Sequence, residues 1–397
     1  MRHTGYDARV SAFDRFLTLF FSTTILTAGC GLGGPIEVTN PPAGSGGSGG
    51  SAGGPSGGGG ASNGGAAGND GDDSPVLVGI TPTPSSSDGS VSSADKLQAK
   101  LTTLAAGARA GVITVPLDAD AAEIEALVAK DTAFYAEHGQ TVLISLMAVD
   151  RVHDRRPASL TGKSWSGPET MSVIEAAIDQ LFAATGDEVR YLTFGRDIDV
   201  YLAKHPEHRS AFVTISKQVS GYVKGHPGAP KQISTGIALT TDAPKMESAF
   251  QDLIETHDLV AFSYFPGLLV PDPEPASGVA ATVDQITGTV GQRRIALIGT
   301  GFASDVAANG GEAAQQAFLS TLFGAVIARR ASFELVNVVE LFDASAEDCA
   351  AWASSQGEPP DGALAAYACS LGLLNADGTP RPAWSAALFG TAALATP

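Results

Sequence analysis

The chain has 397 residues, with 24 Lys and Arg against 42 Asp and Glu, giving a formal net charge of −18. That acidity excludes nucleic acid as the main partner, because phosphate backbones are held by basic surfaces. The hydrophobic share of 44% supplies apolar material for a large core, which excludes a chain that is disordered throughout.

The first segment reads as an address. Arg2, Arg9 and Arg15 flank or precede an apolar run over residues 16–28. A spanning helix needs about 20 apolar residues, so the shorter run marks residues 1–29 as a secretory signal. It ends in Thr27-Ala28-Gly29-Cys30, which resembles a bacterial lipobox, with Thr27 standing where Leu is usual. The resemblance implies that Cys30 becomes the lipidated first residue of the mature protein, so a membrane is a partner through an acyl anchor. An ordinary cleaved signal is the alternative. Gly31 lacks the Asp that tends to retain such lipoproteins at the inner membrane, which favours the outer membrane. Residues 30–74 form a Gly/Ser-rich linker: 14 of the 47 glycines fall between residues 41 and 70, leaving too little apolar surface to fold.

From residue 75, short apolar runs alternate with amphipathic stretches. The runs cover residues 76–80, 111–117, 141–147, 190–195, 232–238, 259–264, 294–298 and 335–341. Helical patterns lie between them, as over residues 121–130 and 312–323. Continuous apolar strands imply burial on both faces, as in a parallel sheet. Eight strands with intervening helices predict an α/β fold, a (β/α)8 TIM barrel over residues 75–397. A doubly wound open sheet is the alternative. It is disfavoured because Thr81-Pro82-Thr83-Pro84 follows the first strand where a glycine-rich phosphate turn would stand. If Cys30 is acylated, Cys349 and Cys369 remain as one pair, and export to an oxidising compartment makes a disulfide the expectation.

A barrel carries its site at the C-terminal ends of its strands. Those ends supply Asp118, Arg196, Asp197, Tyr264, Phe265, Phe302 and Glu340, with Trp165 in the long third loop. Carboxylates and hydroxyls suit sugar OH groups, and aromatic faces cover the apolar side of a pyranose. A poly- or oligosaccharide is therefore the expected partner, with Arg196, Tyr264, Phe265, Phe302, Trp165 and Asp118 as binding residues. His205 and His208 share a helix face and read as solvated, so no metal site is expected, and no cofactor motif is present.

Four segments in order resemble the glycoside hydrolases of clan A, in particular the endo-galactanase-like branch. Gly195-Arg196-Asp197 resembles the Gly-Asn-Glu end of the fourth strand, and Ser263-Tyr264-Phe265-Pro266 the sixth-strand Ser-Tyr-Tyr-Pro. Gly299-Thr300-Gly301-Phe302 resembles the seventh-strand Glu-Thr-Gly-Trp, and Asp377 to Trp384 the Asp-Gly-x-x-Lys-Pro-Ala-Trp ending. The resemblance implies a barrel that handles carbohydrate, with the acid/base at Asp197 and the nucleophile at Gly299.

The departures bear on chemistry. Retaining hydrolysis needs two carboxyl groups about 5–5.5 Å apart. Asp197 is shorter than Glu by one methylene, roughly 1.5 Å of reach, and Arg196 beside it favours the ionised form. Gly299 has no side chain with which to attack. The sequence therefore predicts an envelope protein that binds carbohydrate without conventional retaining hydrolysis. Two alternatives stand: an active hydrolase using Asp197 with Glu340 or Asp305, and a purely structural envelope protein.

Overall fold

The computed structural model describes residues 75–85, 91–243, 250–268 and 276–396. The signal, Cys30 and the linker lie outside the described residues.

Eight parallel strands close into a barrel: β1 (Leu77–Ile80), β2 (Ala110–Pro116), β3 (Thr141–Asp150), β4 (Val189–Arg196), β5 (Ser234–Thr240), β6 (Leu259–Tyr264), β7 (Arg294–Thr300) and β8 (Phe333–Val338). Each pairs with the next, and β8 returns to β1 with Leu77 opposite Leu335 and Ile80 opposite Val338. That closure rules out the open doubly wound sheet. The chain is a (β/α)8 TIM barrel.

Helices follow the strands: α1 (Ser93–Ala105), α2 (Ala121–Glu137), α3 (Pro168–Ala183), α4 (Ile198–Lys204), α5 (Arg209–Gly225), α6 (Gln251–Thr256), α7 (Ala276–Val290) and α8 (Glu312–Ala328). Their starts are written locally. Ser92 accepts from the Asp95 backbone N–H while the Asp95 carboxylate accepts from the Ser92 N–H, a reciprocal cap for α1. Asp120 caps α2 by accepting from the Glu123 N–H.

Apolar residues facing the helices, such as Val115, Ile144, Phe262 and Val336, are buried in the larger core between sheet and helices. A smaller interior core holds Ala110, Leu143, Tyr191, Ala261, Ala296 and Leu335. At its lower end the Tyr191 hydroxyl donates to Glu334 at 2.8 Å, and Arg294 pairs with the same carboxylate.

The last strand ends at Val338, earlier than residue 341, and the Val339–Glu340 peptide is cis. The backbone beyond it stays pinned to the mouth: the Val339 N–H donates to Thr300 O at 2.8 Å and the Leu341 N–H to Thr81 O at 3.0 Å. The chain then builds a wall from α9 (Ala346–Ser355) and α10 (Ala363–Ala368) before α11 (Pro382–Ala395) completes the outer ring. Cys349 and Cys369 are bonded, with Cα atoms 5.7 Å apart. Ala344, Ala353, Leu364 and Ala365 pack around them as a separate small core. The buried Tyr367 hydroxyl reaches Pro266 O at 3.0 Å and Gly301 O at 3.2 Å, fastening α10 to the loops after β6 and β7.

Candidate functional site

Four interior positions near the mouth are small, Thr114, Ser145, Ser263 and Gly299, beside the larger Val112, Ile298 and Asn337. Barrels usually fill this level with branched side chains. Here the deficit leaves a cavity of about 180 Å³. Its walls include Thr81, Asp150, Arg151, Arg196, Asp197, Phe265, Asn337 and Glu340, and α9 with its C-cap adds Trp352 and Gln356.

A slip in register shapes one wall. Phe262 pairs with Leu297 but Ser263 pairs with Gly299, so Ile298 is an extra residue on β7. A bulge of this kind turns consecutive residues toward one side, and Ile298 and Gly299 both face the cavity. A Cβ added at Gly299 would stand 3.1 Å from Phe265 Cζ and 3.4 Å from its Cε2. A side chain at position 299 would thus begin in tight contact with the Phe265 ring.

Asp197 follows β4 through Gly195, whose φ of +80° an L side chain would resist. Asp197 itself is left-handed at φ 49°, and so is Arg151 at φ 57°. Such conformations are uncommon outside glycine and concentrate at functional positions. The two residues face each other: Arg151 Nη1 donates to Asp197 Oδ2 at 3.1 Å, with Asp197 only 5% exposed. Asp197 Oδ1 is buried with no hydrogen-bond partner. Arg196 does not pair with Asp197. Its guanidinium holds Asp150 Oδ1 at 2.7–2.8 Å. Asp199, two residues on, is pushed up to about 7 by burial and then by the charge of Asp197. It accepts from the Thr240 N–H at 2.8 Å and from the Thr240 hydroxyl at 2.5 Å.

Glu340 is 9% exposed and pushed up to about 8, first by burial and then by the charges of Asp343 and Asp348. Its Oε2 is buried without a hydrogen-bond partner. Burial thus favours the protonated form of Glu340, which can donate, while Asp197 is ion-paired with Arg151. Position 299 offers no nucleophile.

Arg196, Asp197, Phe265, Gly299 and Glu340 converge on the cavity. Other expected site residues do not. Tyr264 is 2% exposed and packs edge-on against Phe318 of α8. Phe302 stacks on the same Phe318 ring and is likewise buried. Trp165 lies in the outer core against Tyr201 and Phe212, with the Arg156 guanidinium 4.0 Å from its ring centroid. None of these three can stack on a ligand in the cavity. Asp118 sits outside the cavity lining, 3.5 Å from Arg155. Asp305 caps the turn after β7, accepting from the Ala307 N–H at 2.8 Å, and is exposed away from the cavity. Asp343 is bound by Arg381.

Asn337, Trp352 and Gln356 were not legible as site residues. Asn337 donates to Thr81 Oγ1 and Ile298 O, both at 3.0 Å, and braces the strand ends inside the barrel. The signal for Trp352 is its place between the two cysteines, in an insertion after the last strand. Among the described residues the cluster of three potential metal ligands is His205, Glu207 and His208, away from the cavity.

No protein-family model and no curated protein matches the chain. Solved structures do. A GH5_18 protein from Streptomyces cattleya in complex with GlcNAc is similar with a TM-score of 0.61 at 17% identity, over 81% of each chain. A GH5_18 protein from Bifidobacterium longum subsp. infantis gives 0.59 at 12% identity, over 80% of this chain and 79% of that one. An exo-beta-1,4-mannosidase from Opitutaceae bacterium strain TAV5 gives 0.59 at 12%, over 80% of this chain and 59% of the other. At these identities the likeness is one of fold. The narrower endo-galactanase likeness rests on the sequence motifs alone.

Proposed function

We propose that the barrel mouth binds a small carbohydrate, one or two sugar rings, and does not cleave it by retaining double displacement. The observation that carries this reading is the Phe265 ring seated over the bare Gly299 position. A cavity of about 180 Å³ is small beside the roughly 300–1,000 Å³ of drug-sized ligand pockets, which suits a short ligand over a threaded polymer. Its chemistry supports a hydroxyl-rich ligand: the carboxyl groups of Glu340 and Asp197, the hydroxyls of Thr81, Thr114, Ser145 and Ser263, and the aromatic side chains of Phe265 and Trp352. The likeness in fold to a barrel holding GlcNAc supports the same class. Calorimetry across mono- and disaccharides tests it. Binding to at least one sugar, lost in Glu340→Ala and unaccompanied by release of reducing sugar, is expected. Silence across the whole panel would sink the binding half of the reading, and sugar release the other half.

One observation favours a second reading. The Glu340 carboxyl, pushed up to about 8 by burial, suits a general acid, and Asp197 brings a second carboxylate, ion-paired with Arg151, to the same cavity. An inverting pair works across about 6.5–9.5 Å. Hydrolysis that vanishes in both Glu340→Gln and Asp197→Asn would select this reading.

The reading extends to location on the sequence alone: export by residues 1–29, acylation of Cys30 and display of the barrel on its linker at the cell envelope, with the outer membrane favoured. Among the described residues no helix is long and apolar enough to cross a membrane. Mass spectrometry of the Cys30 peptide checks the acyl group, and Cys30→Ala should release the protein from the membrane fraction.

A further inference from the structure

We propose that His205, Glu207 and His208 form a binding site for a divalent transition-metal ion, of which Zn²⁺ is the natural probe. The three side chains stand at the joint between α4 and α5, with Pro206 turning the chain between them. Glu207 Oε1 lies 3.5 Å from His205 Nδ1 and 3.8 Å from His208 Nε2. All three potential ligand atoms lie within 4.8 Å of one another. Ligands at about 2.0–2.1 Å from a tetrahedral zinc stand roughly 3.3–3.5 Å apart. Modest side-chain rotation therefore brings the triangle onto one ion.

The donor set selects the metal class. Two imidazole nitrogens and one carboxylate oxygen suit zinc, copper and nickel, whereas calcium and magnesium require more oxygen ligands. Three protein ligands leave the remaining position to water.

A separate observation concerns orientation. The Tyr201 hydroxyl lies 3.0 Å from His208 Nδ1, and Tyr201 is 1% exposed. The partner is therefore fixed in the core and holds the imidazole by the nitrogen that faces away from Glu207. A histidine fastened at one nitrogen and open at the other is the usual arrangement around bound metals. The His205 and His208 rings are nearly parallel, 15° apart with centroids at 5.3 Å.

The location adds a consequence. Helix α4 begins at its N-cap Asp197 and ends beside His205, about 12 Å further along. An ion held by the α4–α5 joint fastens the far end of the helix whose near end carries the cavity carboxylate. The role is positional, and it does not depend on which sugar the cavity takes.

The test is calorimetric titration of Zn²⁺ into the full chain, free of any histidine tag. One ion per chain is expected, with no competition from excess Mg²⁺ or Ca²⁺. His205→Ala, His208→Ala and Glu207→Gln should each weaken binding at least about tenfold, and Tyr201→Phe should weaken it by a similar factor through the lost support. With Cu²⁺ as the probe, electron paramagnetic resonance should show two coordinating nitrogens in the wild type and one in His208→Ala. The His205, Glu207 and His208 variants change exposed or half-buried side chains and Tyr201→Phe a buried one, so the folding of each is checked by circular dichroism. Melting temperature should rise with Zn²⁺ in the wild type and not in the His205→Ala/His208→Ala double variant. Undiminished Zn²⁺ affinity in that double variant, or no binding at millimolar Zn²⁺, overturns the proposal.

Discussion

The edge of the Phe265 ring lies 3.1 Å from the point at which a side chain on Gly299 would start. The two residues face the cavity from β7 and from the position just after β6, one large and one without a side chain. A side chain at position 299 therefore starts only if the Phe265 ring gives way by a few tenths of an ångström. Gly299→Glu should lower the melting temperature, because overpacking costs about 1–3 kcal/mol, and should not confer hydrolysis. The companion Phe265→Ala/Gly299→Glu should recover stability. A single Gly299→Glu that melts like the wild type would show that the ring yields freely.

The Arg151–Asp197 pair should behave as a buried unit. Removing only the cation leaves a carboxylate at 5% exposure without its partner, which costs about 3–5 kcal/mol. Arg151→Met should therefore destabilise strongly, and Arg151→Met/Asp197→Asn should recover much of the loss. Chemical denaturation of the full double-mutant cycle measures the coupling. Purely additive effects would mean that the contact carries no energy.

Glu340 gives stability a direction with pH. Its carboxyl titrates at an ordinary value of 4.5 when unfolded and at about 8 when folded. Between those values the unfolded chain has lost the proton and the folded chain keeps it, so stability falls as pH rises through that window. Asp199 acts the same way from 3.8 to about 7. The wild type should lose on the order of 3–4 kcal/mol between pH 5 and pH 8 from Glu340, and Glu340→Gln should flatten that slope. Melting curves across pH 5 to 9 decide it: equal slopes in both proteins would place the Glu340 carboxyl back in the ordinary range.

Two tryptophans separate core from site. Trp165 is 1% exposed in the outer core, so Trp165→Ala should cost about 3–5 kcal/mol, as large-to-small core changes do. Trp352 is half-buried on the cavity wall, so Trp352→Ala should weaken sugar binding several-fold with little change in melting temperature. The reverse pattern would move the ligand surface to the third loop.

The barrel was legible because its strands are continuous apolar runs, and the runs at 259–264 and 294–298 fall almost on the observed β6 and β7. The site was legible only in part, for a reason visible on β6. Side chains alternate along a strand: Ala261 and Ser263 face inward and Phe262 and Tyr264 outward, with Phe265 again at the cavity. Tyr264 and Phe265 are adjacent in sequence but point to opposite sides, and only Phe265 reaches the cavity. Phe302 fails similarly, packing on Phe318 beneath the loop. The bulge at Ile298, which sets Gly299 against Phe265, depends on pairing between two strands and leaves no mark in either one alone. Trp352 and Gln356 were hidden because α9 has no counterpart in a bare eightfold strand–helix repeat.

The bridge between Cys349 and Cys369 ties together the two helices that wall the cavity, and closes a stretch that lies wholly after the last strand. Reduction would therefore leave the strands untouched and hand the cavity wall over to its other two fastenings, the small apolar core around Ala353 and Leu364 and the Tyr367 hydroxyl on Pro266 O and Gly301 O.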